Sequence, residues 1–303
     1  MATAVQTPGE LTPRPPETER VSPFRAFWRA LLRSKSGFIG FIGFAVIVLV
    51  SLVGPFFTPG GNPADPARIY EGPSVAHPLG LDFEGRDVLM LLIDGGRPVL
   101  LIGLLAALIS TVIAVFFGAL AAYVGGRVDA VIVTATDIVL TVPQIIVLAV
   151  IASFYEVGNS FGLALILGLL GWPALLRAVR AQALSLKERE YIEAARLLDL
   201  GTASIVLREI VPNMASFILM NYVIGATQAI YALAGLYVLG LAPMQGTNWG
   251  ISIHWADNQS AIYNSEAIFS VMAPILAICL VQLSLVTMSR SFEEILNPRL
   301  RHN

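Results

Sequence analysis

The chain has 303 residues, of which 56% are hydrophobic and only 13% charged, with a mean hydropathy of +0.74. Soluble domains carry about a quarter charged residues, so this composition argues against a soluble enzyme, and so much apolar material argues equally against disorder. A net charge of −2 leaves no electrostatic footprint for nucleic acid, and a single cysteine, Cys279, excludes an intrachain disulfide framework or a cysteine-rich metal site.

An apolar bilayer core of about 30 Å needs around 20 helical residues to cross it. Residues 1–23, rich in Pro, Thr and Glu, read as a disordered tail. Residues 24–97 hold a first uncharged run at 38–57 and then an external loop punctuated by Pro and Gly over 58–76. The run at 38–57 is long enough to span and lies too far along the chain for a cleaved signal peptide. Asp82 is then expected to cap a short amphipathic helix on the membrane surface, with Phe83, Val88, Leu91 and Leu92 on its apolar side. Residues 98–289 supply further uncharged runs at 98–123, 138–155, 157–176, 213–240 and 267–289. Pro212 and Pro243 interrupt the run 210–256, whose second part reads as a polar Gln/Gly/Asn/Trp loop. Residues 290–303 form a second tail. The fold class is therefore all-α, a polytopic membrane protein with six transmembrane helices.

Short-loop Arg and Lys residues mark the cytoplasmic side. Arg25, Arg29, Arg33 and Lys35 precede the first span, Arg177, Arg180, Lys187, Arg189, Arg196 and Arg208 surround the connection between the fourth and fifth, and Arg290, Arg299 and Arg301 follow the sixth. Six crossings bring these three places to one side, so both termini are cytoplasmic. Arg68, Arg86 and Arg97 lie on the opposite side without reversing the assignment.

No phosphate-binding loop is present, since the only lysines, Lys35 and Lys187, do not follow glycine. His77, His254 and His302 stand apart in loops or the tail and are expected to be solvated; Cys279 is expected as a small core residue, and no metal site is expected. An energy-consuming function therefore needs another subunit to handle ATP. Asp137 is the one charge inside an apolar stretch, with two readings: a transport residue, or a structural carboxylate paired with Arg177 or Arg180. Gln144, Asn221, Thr227 and Gln228 are polar positions within spans, each a candidate for pore lining or for a bond to a neighbouring helix. Gly37, Gly40 and Gly43, like Gly118 and Ala122, read as packing positions.

The informative segment is Lys187-Glu-Arg-Glu-Tyr-Ile-Glu-Ala-Ala-Arg-Leu-Leu-Asp-Leu-Gly201. Helical spacing gathers Tyr191, Ala194, Ala195 and Leu198 on one face and aligns Arg189, Glu193 and Arg196 on another. It reads either as a solvated helix with internal ion pairs or as a short helix docking on a partner.

Glu193-Ala194-Ala195, followed by Ile210-Val211-Pro212, resembles the EAA motif of ABC-importer permease subunits. His77-Pro-Leu-Gly-Leu-Asp-Phe-Glu-Gly-Arg-Asp-Val-Leu89 is similar to the family's H-P-L-G-x-D-x-x-G-R-D-V-L segment. Thr136-Asp137 with Pro143, Gly171-Trp-Pro173, Leu184 to Glu193, Trp249-Gly250 and Asn297-Pro-Arg-Leu300 also match, so that the chain from about Phe24 to Arg301 resembles the C-type permease of dipeptide/oligopeptide importers. The resemblance implies a type I ABC importer permease fold, with no catalytic residue and no cofactor in this chain. It also implies a B-type permease partner, two cytoplasmic ATPase subunits that carry ATP and Mg, an external solute-binding protein, and a place in a prokaryotic cytoplasmic membrane. It assigns coupling to the ATPases to Tyr191, Glu193, Ala194, Ala195, Asp199 and Gly201. Peptide is the leading solute, oligosaccharide or nickel the alternatives within the family, and a non-transporting scaffold or receptor the alternative outside it. Two positions depart from the family pattern. Asp199 stands where the family has glycine, so the docking helix is expected to run on, right-handed at Asp199, to a turn at Gly201. Leu233 stands where the family usually has glutamate.

Overall fold

A computed structural model describes residues 34–57, 61–154 and 160–296, with the side chains of 152–154 and 290–296 left aside. The two tails, including Arg25, Arg29, Arg33, Arg299, Arg301 and His302, lie outside the described residues. Among the described residues the chain is helical, with one isolated antiparallel bridge between Leu81 and Asp87.

Helix α1, Lys35–Val53, starts at Ser34, whose hydroxyl accepts the Gly37 N–H at 3.3 Å. It lies along the last helix, and a methyl group at Gly43 would stand 2.7 Å from Ser284 Oγ, so glycine there serves close packing. The loop that follows ends at Asp87, whose carboxylate accepts from the Leu89 and Met90 N–H groups and caps α2, Val88–Val124. The separate surface helix capped by Asp82 is thus absent. Asp82 instead closes a turn, accepting from Glu84 and Arg86, because Gly85 holds φ +74° and breaks any helix that would run through it. Of the residues expected on the membrane surface, Val88, Leu91 and Leu92 belong to the first turns of α2, which carries Pro98 inside it, and Phe83 lies in the turn before it.

With 37 residues α2 is about 55 Å long at 1.5 Å per residue, and it packs against α1, α5 and α9 as the central post. It passes directly into α3, Gly126–Thr141, through Gly125 at φ +69° and Gly126 at φ +56°. The expected third span at 138–155 is two helices, α3 and α4 (Gln144–Phe154), bent by 77°. Pro143 causes the break: it lacks an N–H and holds Val142 in an extended conformation, ψ 124°. Helix α5 runs further than expected, over Ser160–Lys187, and α6, Glu190–Leu197, follows after a tight turn.

Three short pieces come next: α7 (Thr202–Ile205), a π turn (Val206–Ile210) and α8 (Val211–Asn213). Pro212 offers no N–H to the preceding turn and its ring crowds the carbonyl four residues back, so the helix widens ahead of it. Helix α9, Ala215–Val238, ends at Gly240 with φ +70°. The expected polar loop contains α10, Trp249–Asn258, capped by Asn248, and α11 occupies Ile268–Leu296. Among the described residues five helices are long and apolar enough to cross a membrane, and the bent α3–α4 pair makes a sixth if it is one span. Cys279 lies exposed on α11 and not in the core, because the buried stripe of that helix passes through Ile278, Val281 and Leu285.

Candidate coupling segment and central cavity

The EAA segment begins one turn after α5 ends. Ile192 is fully buried and Ala195 nearly so, packed with Ala119 and Ala122 of α2, Val179 and Ala183 of α5, and Ile205 and Ile210 beyond. Burying Ile192 contributes about 1.5–3 kcal/mol, enough to fix the rotation of so short a helix. The face expected to carry Tyr191, Ala194, Ala195 and Leu198 together is therefore split. Tyr191, Ala194 and Leu198 point outward, joined by Leu197 at 84% exposure, whereas Ala195 faces the bundle. Glu193 is exposed, and among the described residues no ion pair joins it to Arg189 or Arg196. Partial burial pushes the Tyr191 hydroxyl above the usual phenol range; Arg189 opposes the shift and Glu209 adds to it.

The helix ends where the expectation for Asp199 fails. Asp199 takes φ +55°, its N–H bonding to the Arg196 carbonyl at 2.9 Å, and the Leu200 N–H reaches back to the Ala195 carbonyl at 3.2 Å. This pair of bonds is a Schellman cap with aspartate in the left-handed position. Gly201 has φ −62° and ψ 152°, an extended geometry open to any residue, at the start of α7. Ile192 and Ala195 set the position of the last turn, and aspartate is among the few non-glycine residues that tolerate the left-handed region. The chain thus keeps the turn at 199 and accepts the strain.

Beside α6, the C-terminal half of α5 grips the α2–α3 corner. Arg180 holds Asp129 through two hydrogen bonds of 2.5 and 2.6 Å, and Arg177 holds Asp137 at 2.5 Å. Asp137 is thus an ion-paired carboxylate, about half exposed. Above these pairs, α2, α5, α9 and the α3–α4 bend enclose a cavity of about 240 Å³. Gln144, Asn221 and Gln228 all line it, together with Ser110 and Thr111. Thr227 does not: its hydroxyl turns back to the Val223 carbonyl, and its own carbonyl accepts from Gln282 Nε2 of α11 at 3.1 Å. Thr227 thus sits on the side of α9 that meets α11.

Ser110 and Thr111 were not singled out from sequence, although they form a hydroxyl pair midway along an apolar run. Ser110 donates to the Gly168 carbonyl at 2.7 Å, while Thr111 Oγ1 is buried without a partner among the described residues. Leu233 is fully buried beside Ile102, Leu163 and Leu167, a position in the apolar core. His77 is not free either; its Nδ1 lies 2.8 Å from the Asp87 carboxylate, and His254 Nε2 lies 2.9 Å from Asn258 Nδ2. Among the described residues no cluster of His, Cys, Asp and Glu is arranged to hold a metal ion.

Comparison with known proteins points the same way. Residues 114–302 match the family described as the binding-protein-dependent transport system inner membrane component, and residues 22–73 match the N-terminal TM domain of oligopeptide transport permease C. A dipeptide transport system permease protein of Alkalihalophilus pseudofirmus is 29% identical over 99% of this chain and 98% of its own length. A glutathione transport system permease protein of Pectobacterium atrosepticum is 29% identical over 92% of each chain. A putative peptide permease protein of Brucella ovis is 30% identical over 76% of this chain and 77% of its own. Among solved structures, the inward-facing MetNI methionine ABC transporter aligns with a TM-score of 0.53 at 17% identity, over 68% of this chain and 97% of that one, a likeness of fold. The first match alone takes in more than half of the residues, and the chain belongs to the family of inner membrane components of binding-protein-dependent transport systems.

Proposed function

We propose that this chain is the C-type permease subunit of an ATP-driven peptide importer, paired in the membrane with a B-type permease. Two cytoplasmic ATPase subunits carry the ATP and Mg, and an external solute-binding protein delivers the peptide. The ends of the chain lie on the cytoplasmic side and the loop before α2 lies outside.

The observation that carries this reading is the division of labour on α6. One face anchors the helix in the bundle through Ile192 and Ala195, and the other leaves Tyr191, Ala194, Leu197 and Leu198 open to a partner. Isolated apolar side chains on a surface need no explanation, but four on eight residues make a contact patch. Closure of the ATPases on ATP draws the two permeases' docking helices together, and the bundles turn as bodies between inward- and outward-open states. The cavity edged by Gln144, Asn221 and Gln228 is this chain's half of the path, and its amides suit the carbonyl and N–H groups of a peptide backbone. Peptide also agrees with the solutes named for the relatives, glutathione and dipeptides.

The complex purified with its ATPases and binding protein, and placed in proteoliposomes, should take up labelled di- and tripeptides only with ATP inside the ATPase compartment. Uptake of an oligosaccharide or nickel without peptide would overturn the solute class. A complex that neither binds ATPases nor moves any solute would overturn transport itself and favour a scaffold.

A further inference from the structure

Where helices α2 and α6 meet, cations join the apolar packing. Tyr123 is the penultimate residue of α2, and two cations lie over its half-buried ring: Arg196 Cζ at 5.3 Å from the centroid and Lys187 Nζ at 5.9 Å. Both are within the range of about 6 Å in which the ring quadrupole attracts a cation. They come from the two ends of one segment, since Lys187 closes α5 and Arg196 stands in the last turn of α6. Lys187 Nζ also donates to the Ala122 carbonyl at 3.0 Å, one of the terminal carbonyls that α2 cannot satisfy internally. Among the described residues Arg196 forms no ion pair, so the ring is what fixes its guanidinium.

The other end of α2 is tied as firmly. Trp249 Nε1 of α10 donates to the Leu92 carbonyl at 2.7 Å, and methyl groups at Gly95 and Gly96 would stand within 2.9 Å of the Trp249 ring. One helix of about 55 Å therefore touches the coupling segment at one end and α10 at the other.

We propose that Tyr123 is a positioning residue, a clamp that locks both ends of the coupling segment to α2. A displacement imposed on α6 is then passed into α2, and so to α10 on the opposite face, and is not absorbed in the turn at 188–189. This rests on the reading of α6 as the ATPase-docking helix. The clamp itself is a property of the chain alone.

The test compares Tyr123→Phe and Tyr123→Leu in the full chain and in the assembled transporter. Phenylalanine keeps the ring face and leucine keeps only the apolar packing, so a merely structural role would let both behave alike. Hydrogen exchange across residues 190–197 of the purified chain should show local opening about 5- to 30-fold more frequent in Tyr123→Leu, the loss of two surface cation–π contacts. Tyr123→Phe should match the wild type. In proteoliposomes, solute moved per ATP hydrolysed should fall several-fold for leucine and stay unchanged for phenylalanine. Equal behaviour of the two variants in exchange would overturn the clamp. Unchanged solute per ATP despite looser α6 would overturn the transmission. If Tyr123→Leu fails to fold, Arg196→Gln with Lys187→Gln removes the cations and leaves the ring; wild-type exchange and coupling in that double variant would overturn the proposal. A wild-type complex with no ATPase bound would count against the docking reading, while the exchange experiment would still decide the clamp.

Discussion

Replacing Asp199 by glycine should tighten the end of α6. The residue holds φ +55° between the Arg196 and Ala195 carbonyl bonds of the cap. An L-residue pays roughly 1–2 kcal/mol in that conformation, aspartate at the low end of the range. Glycine removes the strain but gives back part through the freedom it gains when unfolded, about 0.5–1 kcal/mol. Its arrival also removes a negative charge from the negative end of the helix. The net gain is about 0.5–1 kcal/mol, equivalent to local opening two- to fivefold less frequent. Asp199→Val, β-branched, should move the other way by a similar amount. Gly201→Ser should be neutral or favourable, because that position is extended, has open space around it and precedes α7 as its N-cap. Hydrogen exchange of the Asp199 and Leu200 amides in each purified variant, corrected for intrinsic rates, measures all three. Looser exchange in Asp199→Gly than in the wild type, or greater damage from Gly201→Ser than from Asp199→Val, would refute the assignment of strain to residue 199.

Other outcomes follow from the same contacts. Glu193→Lys should leave the thermal unfolding of the purified chain within about 0.5 kcal/mol of wild type, as exposed positions do, while lowering the yield of ATPase subunits that co-purify. Arg180→Met should destabilise the bundle by about 1–3 kcal/mol by leaving Asp129 without its two charged hydrogen bonds, and adding Asp129→Asn should recover part of the loss in a thermal melt. Asn221→Leu with Gln228→Leu should reduce peptide uptake at unchanged subunit assembly, whereas Thr227→Val, on the far side of α9, should leave uptake nearly intact. Trp249→Phe should lower stability by about 0.5–1.5 kcal/mol through the lost bond to the Leu92 carbonyl.

Charge-free length alone located the membrane segments, because a bilayer imposes it on any helix that crosses. It failed at residues 138–155, where the run of uncharged residues is unbroken but the backbone is not: Pro143 bends it by 77°. The proline was visible; its consequence lay in hydrogen bonding, which hydropathy does not register. In α6 the opposite difficulty arose. Nearly all its non-charged residues are apolar, so periodicity offered two faces, and the choice between them is made by Ile205, Ile210 and Met214, contributed from beyond the next turn. Of the polar residues in α9, Asn221 and Gln228 reach the cavity and Thr227 does not, a distinction that depends on how α9 is rotated between α2 and α11. The helix start expected at Asp82 falls at Asp87 instead, because the positive φ at Gly85 keeps the intervening residues out of the helix.

The corner between α2 and α3 turns on Gly125 and Gly126, both at positive φ, with no loop between the helices. An α-helix turns about 100° per residue. One residue inserted after Gly126 would therefore swing Asp129 and Asp137 together away from Arg180 and Arg177, losing both ion pairs in a single event. Chain length at this corner is consequently as constrained as residue identity. Insertions and deletions belong instead in the irregular stretch before Asp87, where no helix phase is carried across them.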